Sequence, residues 1–324
     1  MREAGYACIN MELGGSCDTT YKQVGKRCGR CQKCLGGKAK DKIYTNRTCI
    51  KRTFDIDVVA QKIEDNLTDL LRILEWNESK GIRFMRLSSE MFPFMSHEEL
   101  GYEFEDLPNF TIVQMLLTQI GNFADTHQHR LTYHPGPFNV LGSKNPKTVE
   151  RTVRDLECHA KVFDAMGFEP SYYNKINIHL GVGADDHDGA IARFVENFKL
   201  LSPSVQQRLT LENDDKARMF SVVDLMRVHE AVGVPIVFDY HHHKFCTGGL
   251  SEEDALKLAC STWGSVRPVV HYSESRGIEQ GLDKETPAHS DLCYGPMNLY
   301  GQAVDVMIEA KFKELAIETL EVIE

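Results

Sequence analysis

Residues 235–245 constrain the fold most, because a short apolar run there ends abruptly in metal-binding residue types. The β-branched and aromatic residues 236–238 are typical of a buried strand. Asp239 and the histidines at 241–243 follow at once. Buried strands of parallel sheets are apolar on both faces, so this polar cluster marks where the strand emerges. A carboxylate with several imidazoles at a strand exit indicates metal ligands, with a solvated His-rich loop as the alternative.

The pattern of a short apolar strand followed by polar residues recurs along the chain. Eight strands are predicted, at residues 5–9, 84–87, 130–133, 176–178, 208–211, 236–238, 268–270 and 304–308. Helical periodicity lies between or after them, at about 63–81, 110–125, 146–166, 189–200, 221–232, 251–262 and 311–322. This alternation predicts one α/β domain over residues 1–324, a (β/α)8 TIM barrel. A doubly wound open sheet is the alternative, but it lacks support from a Gly-x-Gly-x-x-Gly fingerprint.

Composition narrows the class of protein. A hydrophobic content of 42% and a charged content of 26% are those of a globular chain. No apolar run approaches the roughly 20 residues that span a bilayer, so no membrane partner is expected. The N-terminus shows no signal-peptide pattern, which predicts a cytoplasmic location with reduced thiols for the ten cysteines. The net charge of −10 argues, taken alone, against a nucleic-acid partner.

Candidate metal ligands follow the predicted strands rather than precede them. In a TIM barrel they meet at the carboxyl-terminal mouth, where active sites lie. The set comprises His134, His179, Glu212, Asp239, His242, His271 and Glu309. These are too many ligands for one ion and suit two or three ions that share a carboxylate. Such a site favours a metal-dependent phosphodiesterase or nuclease. A metal-dependent sugar isomerase is the second class, and a metal-free binding module would leave the histidines unexplained.

Several motifs, taken in order, resemble those of UV damage endonucleases. They are Gly5-Tyr6 with Asn10, Ser88-Ser89 through His97, His134-Pro135-Gly136, His179-Leu180-Gly181, Leu211-Glu212-Asn213-Asp214-Asp215, Phe238-Asp239 with His242-His243, and Glu309-Ala310-Lys311. The resemblance covers nearly the whole chain except the insertion after the first strand. The fold and metal set are also similar to those of the endonuclease IV superfamily and, more distantly, xylose isomerase. An apurinic endonuclease of the endonuclease IV type is therefore an alternative.

The resemblance implies a DNA-repair enzyme that cleaves the backbone 5′ of pyrimidine dimers, 6-4 photoproducts and often abasic sites. It implies two or three divalent ions, typically Mn²⁺, with Zn²⁺ or Mg²⁺ as alternatives. By position, His134, His179 and Glu212 would hold one ion. Glu212, Asp239, His271 and Glu309 would hold a second, and His242 and His289 a third. The expected partner is double-stranded DNA, bound by a monomer that associates with the nucleoid.

Other positions carry over from the family as contacts to DNA or as catalytic residues. Tyr6, Asn10 and His97 resemble residues that touch DNA or its phosphates, and Tyr6 and His97 join Glu212 as catalytic candidates. The alternative for each is a local structural role. Pro137 and Phe138 stand where the family usually has Gln-Tyr as a lesion probe, and Phe138 can still stack or wedge. Val269 stands where the family has a carboxylated lysine, so we expect a third metal site that is weak, empty, or completed by water and another side chain.

A Cys-rich, basic insertion follows the first strand, at about residues 15–43. Eleven basic residues and a single acid, Asp41, lie between Lys22 and Arg52. Cys17, Cys28, Cys31 and Cys34 could hold a structural Zn²⁺ or an iron–sulfur cluster, with Cys49 as a competing fourth ligand. Thiols without a metal are the third reading. We expect a basic flap on the same barrel face as the metal site, where it would grip DNA phosphates.

Overall fold

The computed structural model describes residues 3–15, 30, 31, 33, 34, 36, 42–181 and 186–324. Its centre is a sheet of eight short parallel strands. These are β1 Ala4–Ala7, β2 Phe84–Arg86, β3 Arg130–Thr132, β4 Ile176–His179, β5 Leu209–Glu212, β6 Ile236–Asp239, β7 Val269–Tyr272 and β9 Asp305–Ile308. A separate parallel pair consists of β8 Pro296–Asn298 and β10 Glu321–Ile323.

The eight-stranded sheet closes on itself. The strands pair in the order β3, β2, β1, β9, β7, β6, β5, β4, which leaves β3 and β4 at the two ends. Tyr133 joins these ends through a parallel bridge to Ile176. Its N–H donates to the carbonyl of Lys175 (2.9 Å), and its carbonyl accepts from the N–H of Asn177 (2.9 Å). The predicted (β/α)8 barrel is therefore confirmed.

Helices surround the barrel, and several of them begin at side-chain N-caps. The long ones are α1 Ile56–Ser79, α2 Phe110–Thr126, α3 Pro146–Ala165, α4 His187–Phe198, α6 Val222–Val232 and α8 Glu252–Ser261. The Asp55 carboxylate caps α1 by accepting from the N–H groups of Asp57 and Val58. Ser221 and Asp224 form a capping box at the start of α6, and Gly233 ends that helix at φ 74°.

Single-turn helices lie within the connections. They are α5 Pro203–Gln206, α7 Tyr240–His243, α9 Arg276–Glu279 and α10 Glu314–Ile317, with 3₁₀ turns at Lys51–Thr53, Phe104–Asp106 and Tyr172–Asn174. The predicted helix at 311–322 is wrong, because only α10 forms there. Lys313 has a φ of 55°, which interrupts the helix before α10, and the β-branched Val322 and Ile323 pair with β8 instead. In the described part of the chain, no helix has the length and apolarity that a bilayer crossing requires.

The barrel interior has an apolar floor below a polar layer. The floor is a cluster of Ala7, Phe84, Val237, Trp263, Val269 and Met307. Alternate residues of a strand face the same side, so the residue two positions later points into the same interior. Four floor residues are followed in this way by polar side chains: Phe84 by Arg86, Val237 by Asp239, Val269 by His271 and Met307 by Glu309. Strand alternation thus places the polar layer at the mouth, on a rigid base.

Candidate metal centre

Glu212, the last residue of β5, lies at the middle of the polar layer and is fully buried. Its Oε2 is 3.1 Å from His134 Nε2 and 3.0 Å from His271 Nδ1. Its Oε1 is 3.2 Å from His242 Nδ1 and 3.9 Å from His179 Nε2. Four imidazoles from four different strand ends therefore surround one carboxylate.

The ligand atoms form three groups that share Glu212, each with its atoms within 4.8 Å of one another. The groups are His134, Glu212 and His271; His179, Glu212 and His242; and Glu212, Asp239, His271 and Glu309. The third group has the same members as the second ion site expected from the family. The first expected site is divided, because His134 and His179 contact different oxygens of Glu212.

The residues present fit a divalent metal. Glu212 Oε1 and Asp239 Oδ2 are buried without a hydrogen-bond donor in the described part of the chain. A buried carboxylate oxygen without a donor is costly unless a cation or a donor group compensates it. His134 Nδ1 lies 3.1 Å from the carbonyl of Pro135, and its Nε2 lies 3.1 Å from Glu212 Oε2. A proton on Nδ1 would leave the Nε2 lone pair for a metal ion next to Glu212. Mixed imidazole and carboxylate ligands suit Mn²⁺ and Zn²⁺.

Opposing effects set the charges in this layer. Burial raises the pKa of Glu212, but the interactions with His271, His179, His134 and His242 together outweigh burial and hold that pKa well below its usual range. Burial lowers the pKa of His179, yet Glu212 and Asp214 raise it to about 9. Burial dominates at His271, whose pKa falls to about 4, and at Asp239, whose pKa rises. The layer therefore holds a bridging carboxylate in its anionic form.

Four buried residues that support the site were not predicted from the sequence. Asn177 Nδ2 donates to Glu212 Oε2, and Thr210 Oγ1 donates to Asn177 Oδ1 (2.8 Å), which fixes the carboxylate from below. Lys175 is buried, with Nζ 3.4 Å from His271 Nε2. Arg86 donates to Glu309 Oε1. The sequence signal that could have found Lys175 and Asn177 was their spacing of two residues from one another and from His179. Residues at that spacing in a strand share one face, here the interior of the barrel.

Tyr6 and Asn10, which the family resemblance places against DNA, are both fully buried. The Tyr6 hydroxyl donates to Asn77 Oδ1 (2.8 Å) and accepts from Asn10 Nδ2 (3.0 Å). Asn10 Oδ1 in turn accepts from the N–H of Leu13 (2.9 Å). In this conformation the two side chains shape the loop after β1, and direct contact with DNA would need that loop to move.

His97, Pro137 and Phe138 lie on the surface beside His134. Phe138 is the most exposed large hydrophobic residue described, at 73%. It lines a cleft of about 620 Å³ together with His97 and the basic side chains of Arg151 and Arg154. His97 Nδ1 accepts from the N–H of Glu99 (3.1 Å), so a local structural role is also present. Lys51 and the acidic Glu98, Glu99 and Asp155 also line the cleft, so its aromatic rim lies beside cations and carboxylates in equal number.

The third predicted metal site, at His242 and His289, is not found as a group of ligand atoms among the described residues. The ring centroids of His242 and His289 are 6.1 Å apart, and His289 Nδ1 hydrogen bonds with Ser273 Oγ (2.7 Å). His289 belongs to none of the three groups found among the described residues. Val269 is buried in the apolar floor and supplies no ligand atom. A third site would therefore rest on fewer protein ligands than in the family pattern.

Only part of the Cys-rich insertion is described. Cys17 and Cys28 lie outside the described residues. Cys31 is buried against Met11, Phe312 and Leu315, and Cys34 packs on the same cluster. Arg30 donates to Glu12 and Glu318. The described part of the insertion thus lies against the loops that follow β1 and β9, beside the barrel mouth.

Fold and site together define a class: a (β/α)8 barrel with a candidate multi-metal centre at its mouth. The chain belongs to the UV-endonuclease UvdE family, whose model matches residues 3–324. The resemblance read from the motifs is therefore confirmed.

Named relatives agree with this family. A UV-damage endonuclease of Schizosaccharomyces pombe is 35% identical over 293 residues, covering 86% of this chain and 47% of the relative. A UV DNA damage endonuclease of Bacillus cereus strain B4264 is 33% identical over 291 residues, covering 86% of this chain and 87% of the relative. The chain spans less than half of the fungal relatives from S. pombe and Neurospora crassa.

Solved structures support the same fold. The crystal structure of SacUVDE aligns with a TM-score of 0.77 at 29% identity and covers 98% of this chain and 95% of that one. A xylose isomerase domain protein of Planctomyces limnophilus aligns with a TM-score of 0.50 at 14% identity, covering 76% of this chain and 88% of that one. The second likeness shows the barrel fold alone.

Proposed function

We propose that the chain is a DNA-repair endonuclease that hydrolyses the phosphodiester bond 5′ of UV lesions in double-stranded DNA. The lesions are pyrimidine dimers and 6-4 photoproducts, with abasic sites as further substrates, and the chain acts as a monomer. The observation that carries the proposal is the carboxylate of Glu212, shared by three ligand groups. One carboxylate between neighbouring ions is the arrangement that multi-metal phosphodiesterases use. Family membership supplies the class of damage.

The protein side chains would divide the work as follows. His134, His179, Glu212, Asp239, His242, His271 and Glu309 would hold two ions, with Mn²⁺ as the expected metal. Such ions supply Lewis acidity that stabilises the attacking and leaving oxygens of the phosphodiester. Asn177 and the carbonyl of Pro135 orient Glu212 and His134, in the manner of outer-shell groups. Phe138, exposed two residues beyond the metal-binding loop's Gly136, would stack on bases where a lesion distorts the duplex.

The test is a nicking assay on end-labelled duplexes that each contain one defined lesion. With Mn²⁺, we expect a single cut on the 5′ side of a pyrimidine dimer, no cut in the undamaged duplex, and no cut with a chelator. The same preparation is assayed for sugar isomerisation with the same metal. Isomerisation without nicking would reject the endonuclease in favour of the second class. Comparing dimer, 6-4 photoproduct and abasic duplexes then ranks the lesions that the Pro137-Phe138 loop accepts.

A further inference from the structure

A lysine-lined cavity of about 420 Å³ lies beside the candidate metal centre. One wall is the loop after β1, from Ile9 to Gly15, and the opposite wall is the loop after β9. Lys311 and Lys313 line the second wall, and Lys42 enters from the end of the insertion. Lys311 is two residues beyond Glu309, which belongs to one of the metal-binding groups.

The cavity brings three lysine side chains together. Burial lowers the pKa of Lys313, and Arg86 and Lys311 add to that effect while Cys8 and Glu309 oppose it. The residues that line the cavity are Ile9, Met11, Gly14, Gly15, Lys42, Tyr44, Asn46, Lys311 and Lys313, so no carboxylate is among them. In the described part of the chain, the amines of the three lysines make no ion pair and donate no hydrogen bond. Exposed lysines elsewhere do pair, as Lys199 does with Glu196 (2.7 Å) and Lys257 with Glu253. Three converging lysine amines inside an acidic protein indicate an anion-binding site, since an anion there would favour the charged form of Lys313.

The walls of the cavity are held by hydrogen bonds rather than by the lysines. Glu314 Oε1 accepts from the N–H of Glu12 (2.9 Å), which ties the loop after β9 to the loop after β1. The N–H of Ile43 donates to the carbonyl of Leu13 (3.2 Å) and fixes the segment that carries Lys42. Lys313 adopts a φ of 55°, a backbone conformation that non-glycine residues disfavour. Such conformations persist where the surroundings impose them, and they cluster at functional sites.

We propose that this lysine cavity binds one backbone phosphate of the DNA strand, next to the phosphate that is cut at the metal centre. The inference rests on the proposed endonuclease function and adds a phosphate subsite to it. A phosphodiester matches the cavity because it brings a full negative charge and several acceptor oxygens to three unpaired amines. Holding a neighbouring phosphate would also fix the register of the strand relative to the metals, since phosphate contacts position a protein on DNA.

The first test measures binding of undamaged duplex DNA over a range of salt concentrations, with the metal-loaded full-length chain. We expect the Lys311→Ala/Lys313→Ala variant to show a slope of log K against log[salt] that is smaller by about 0.9, the value for one phosphate. The ratio of the wild-type to the variant binding constant should fall about threefold between about 50 and 200 mM salt. The control, Lys199→Ala/Lys257→Ala, removes the same charge from exposed, paired lysines and should keep the wild-type slope. An unchanged slope in the Lys311/Lys313 variant would overturn the proposal.

The second test locates the phosphate. Lesion duplexes that each carry one uncharged methylphosphonate are nicked by wild type and variant, and kcat/KM is compared at every position. We expect one position, adjacent to the cut, at which neutralisation slows the wild type about tenfold but leaves the variant unaffected. Equal effects at all positions would mean that the cavity holds no strand phosphate. The single variants Lys42→Ala and Lys311→Ala are assayed on the same set of duplexes. The test therefore remains possible if replacing Lys313 prevents folding.

The two tests separate this inference from the proposed function. One outcome is that wild type nicks lesion duplexes while the variant responds to every methylphosphonate position as wild type does. That result would reject the phosphate subsite and leave the endonuclease proposal in place. If the salt slope falls as expected but no lesion is nicked, the cavity binds DNA phosphate and the endonuclease proposal fails. If added inorganic phosphate competes with DNA equally for wild type and variant, the cavity is not the anion site.

Discussion

At the scale of single residues, the candidate metal centre depends on Glu212 more than on any other side chain. Replacing it by Gln keeps the size but removes the charge that three ligand groups share. We expect Glu212→Gln to lower the rate of lesion-dependent nicking by at least about 100-fold and to lower the content of bound metal. Nicking rates and metal analysis of the purified variant measure both effects. Glu150→Gln, at an exposed position of α3, is the matched control and should behave as wild type.

Phe138 offers a second residue-scale prediction, which concerns recognition rather than chemistry. Its exposed ring can stack on bases, and such stacking contributes about 1–3 kcal/mol per base. We therefore expect Phe138→Ala to reduce kcat/KM on a lesion duplex by about tenfold and to leave binding of undamaged duplex nearly unchanged. Leu200→Ala removes a comparably exposed apolar side chain, at 61%, and should change neither value. Equal loss on damaged and undamaged DNA would assign Phe138 to general binding.

Residue types at strand ends predicted many of the candidate metal ligands. They did not predict the buried residues that hydrogen bond to those ligands. His134, Glu212 and Asp239 stand out because polar residues seldom end an apolar strand without a reason. Asn177 and Lys175 lie within or before a strand, where a polar residue gives no sign of which buried atom it meets. Tyr6 shows a different limit, because a motif places it near DNA but cannot reveal that its hydroxyl is buried and bonded to Asn77.

At the scale of elements, the insertion after β1 is expected to add general DNA affinity. Its described part is tied to the barrel by Arg30, and Ile43 already hydrogen bonds with Leu13 (3.2 Å), so residues 15 and 42 can be joined by a short linker. Removing residues 16–41 deletes most of the basic residues but keeps Lys42. We expect weaker binding of all DNA sequences alike, with a smaller salt slope. Metal content of the barrel should stay unchanged, and an unchanged slope would show that the flap does not touch DNA.

The short helix α10 introduces a pH-dependent element. Burial raises the pKa of Glu314 from 4.5 to about 7. A folded-state pKa above the unfolded one means that stability is fully present below about pH 4.5 and is lost as the pH rises to about 7. Glu314→Gln keeps an acceptor for the N–H of Glu12 and removes the titration. We expect the variant to gain up to about 3 kcal/mol relative to wild type between these pH values, measured by denaturant unfolding.

Helical periodicity predicted the long outer helices but failed at the C-terminal end of the described chain. Residues 311–322 contain enough Ala, Leu, Glu and Lys to favour a helix. Tertiary contacts override that preference, since Phe312 and Leu315 pack under the insertion and Glu314 binds the loop after β1. Local pattern cannot reveal such contacts, because they come from residues about 300 positions away.

At the scale of the whole molecule, Arg130 and Asp305 join distant strands at the end of the barrel opposite the metal centre. Both are buried, and Arg130 Nη1 donates to Asp305 Oδ2 (2.8 Å). Arg130 also donates to the carbonyls of Tyr172, Tyr173 and Arg267. Breaking a buried pair from one side is strongly destabilising, so Arg130→Met should lower the free energy of unfolding by about 3–5 kcal/mol. Arg227→Met, which breaks an exposed pair with Asp188, should cost less than about 1 kcal/mol.

The eight strands of the barrel were predictable from short apolar runs that end in polar residues, whereas the separate pair β8 and β10 was not. Closure of the sheet followed from the predicted barrel, but the single bridge at Tyr133 that joins β3 to β4 did not, because nothing in the local pattern of residues 130–133 indicates how few pairs form there. The ion pair of Arg130 was equally hidden, since both residues sit at strand starts that look like ordinary solvent-facing positions. Long-range geometry, rather than local preference, decides such features.

The strands of the barrel are not joined by equal numbers of residue pairs, and the closure at Tyr133 is a narrow connection. Four residue pairs join β4 to β5, whereas one bridge joins β3 to β4. The loop with His134 and Phe138 begins directly at this narrow seam, and His179 ends the strand on its other side. A load applied to Phe138 by a bent duplex would therefore reach the seam first. The rings of His134 and His179 lie on the two sides of this seam with their centroids 5.4 Å apart, so a shift of β3 against β4 would change the spacing of two candidate ligands.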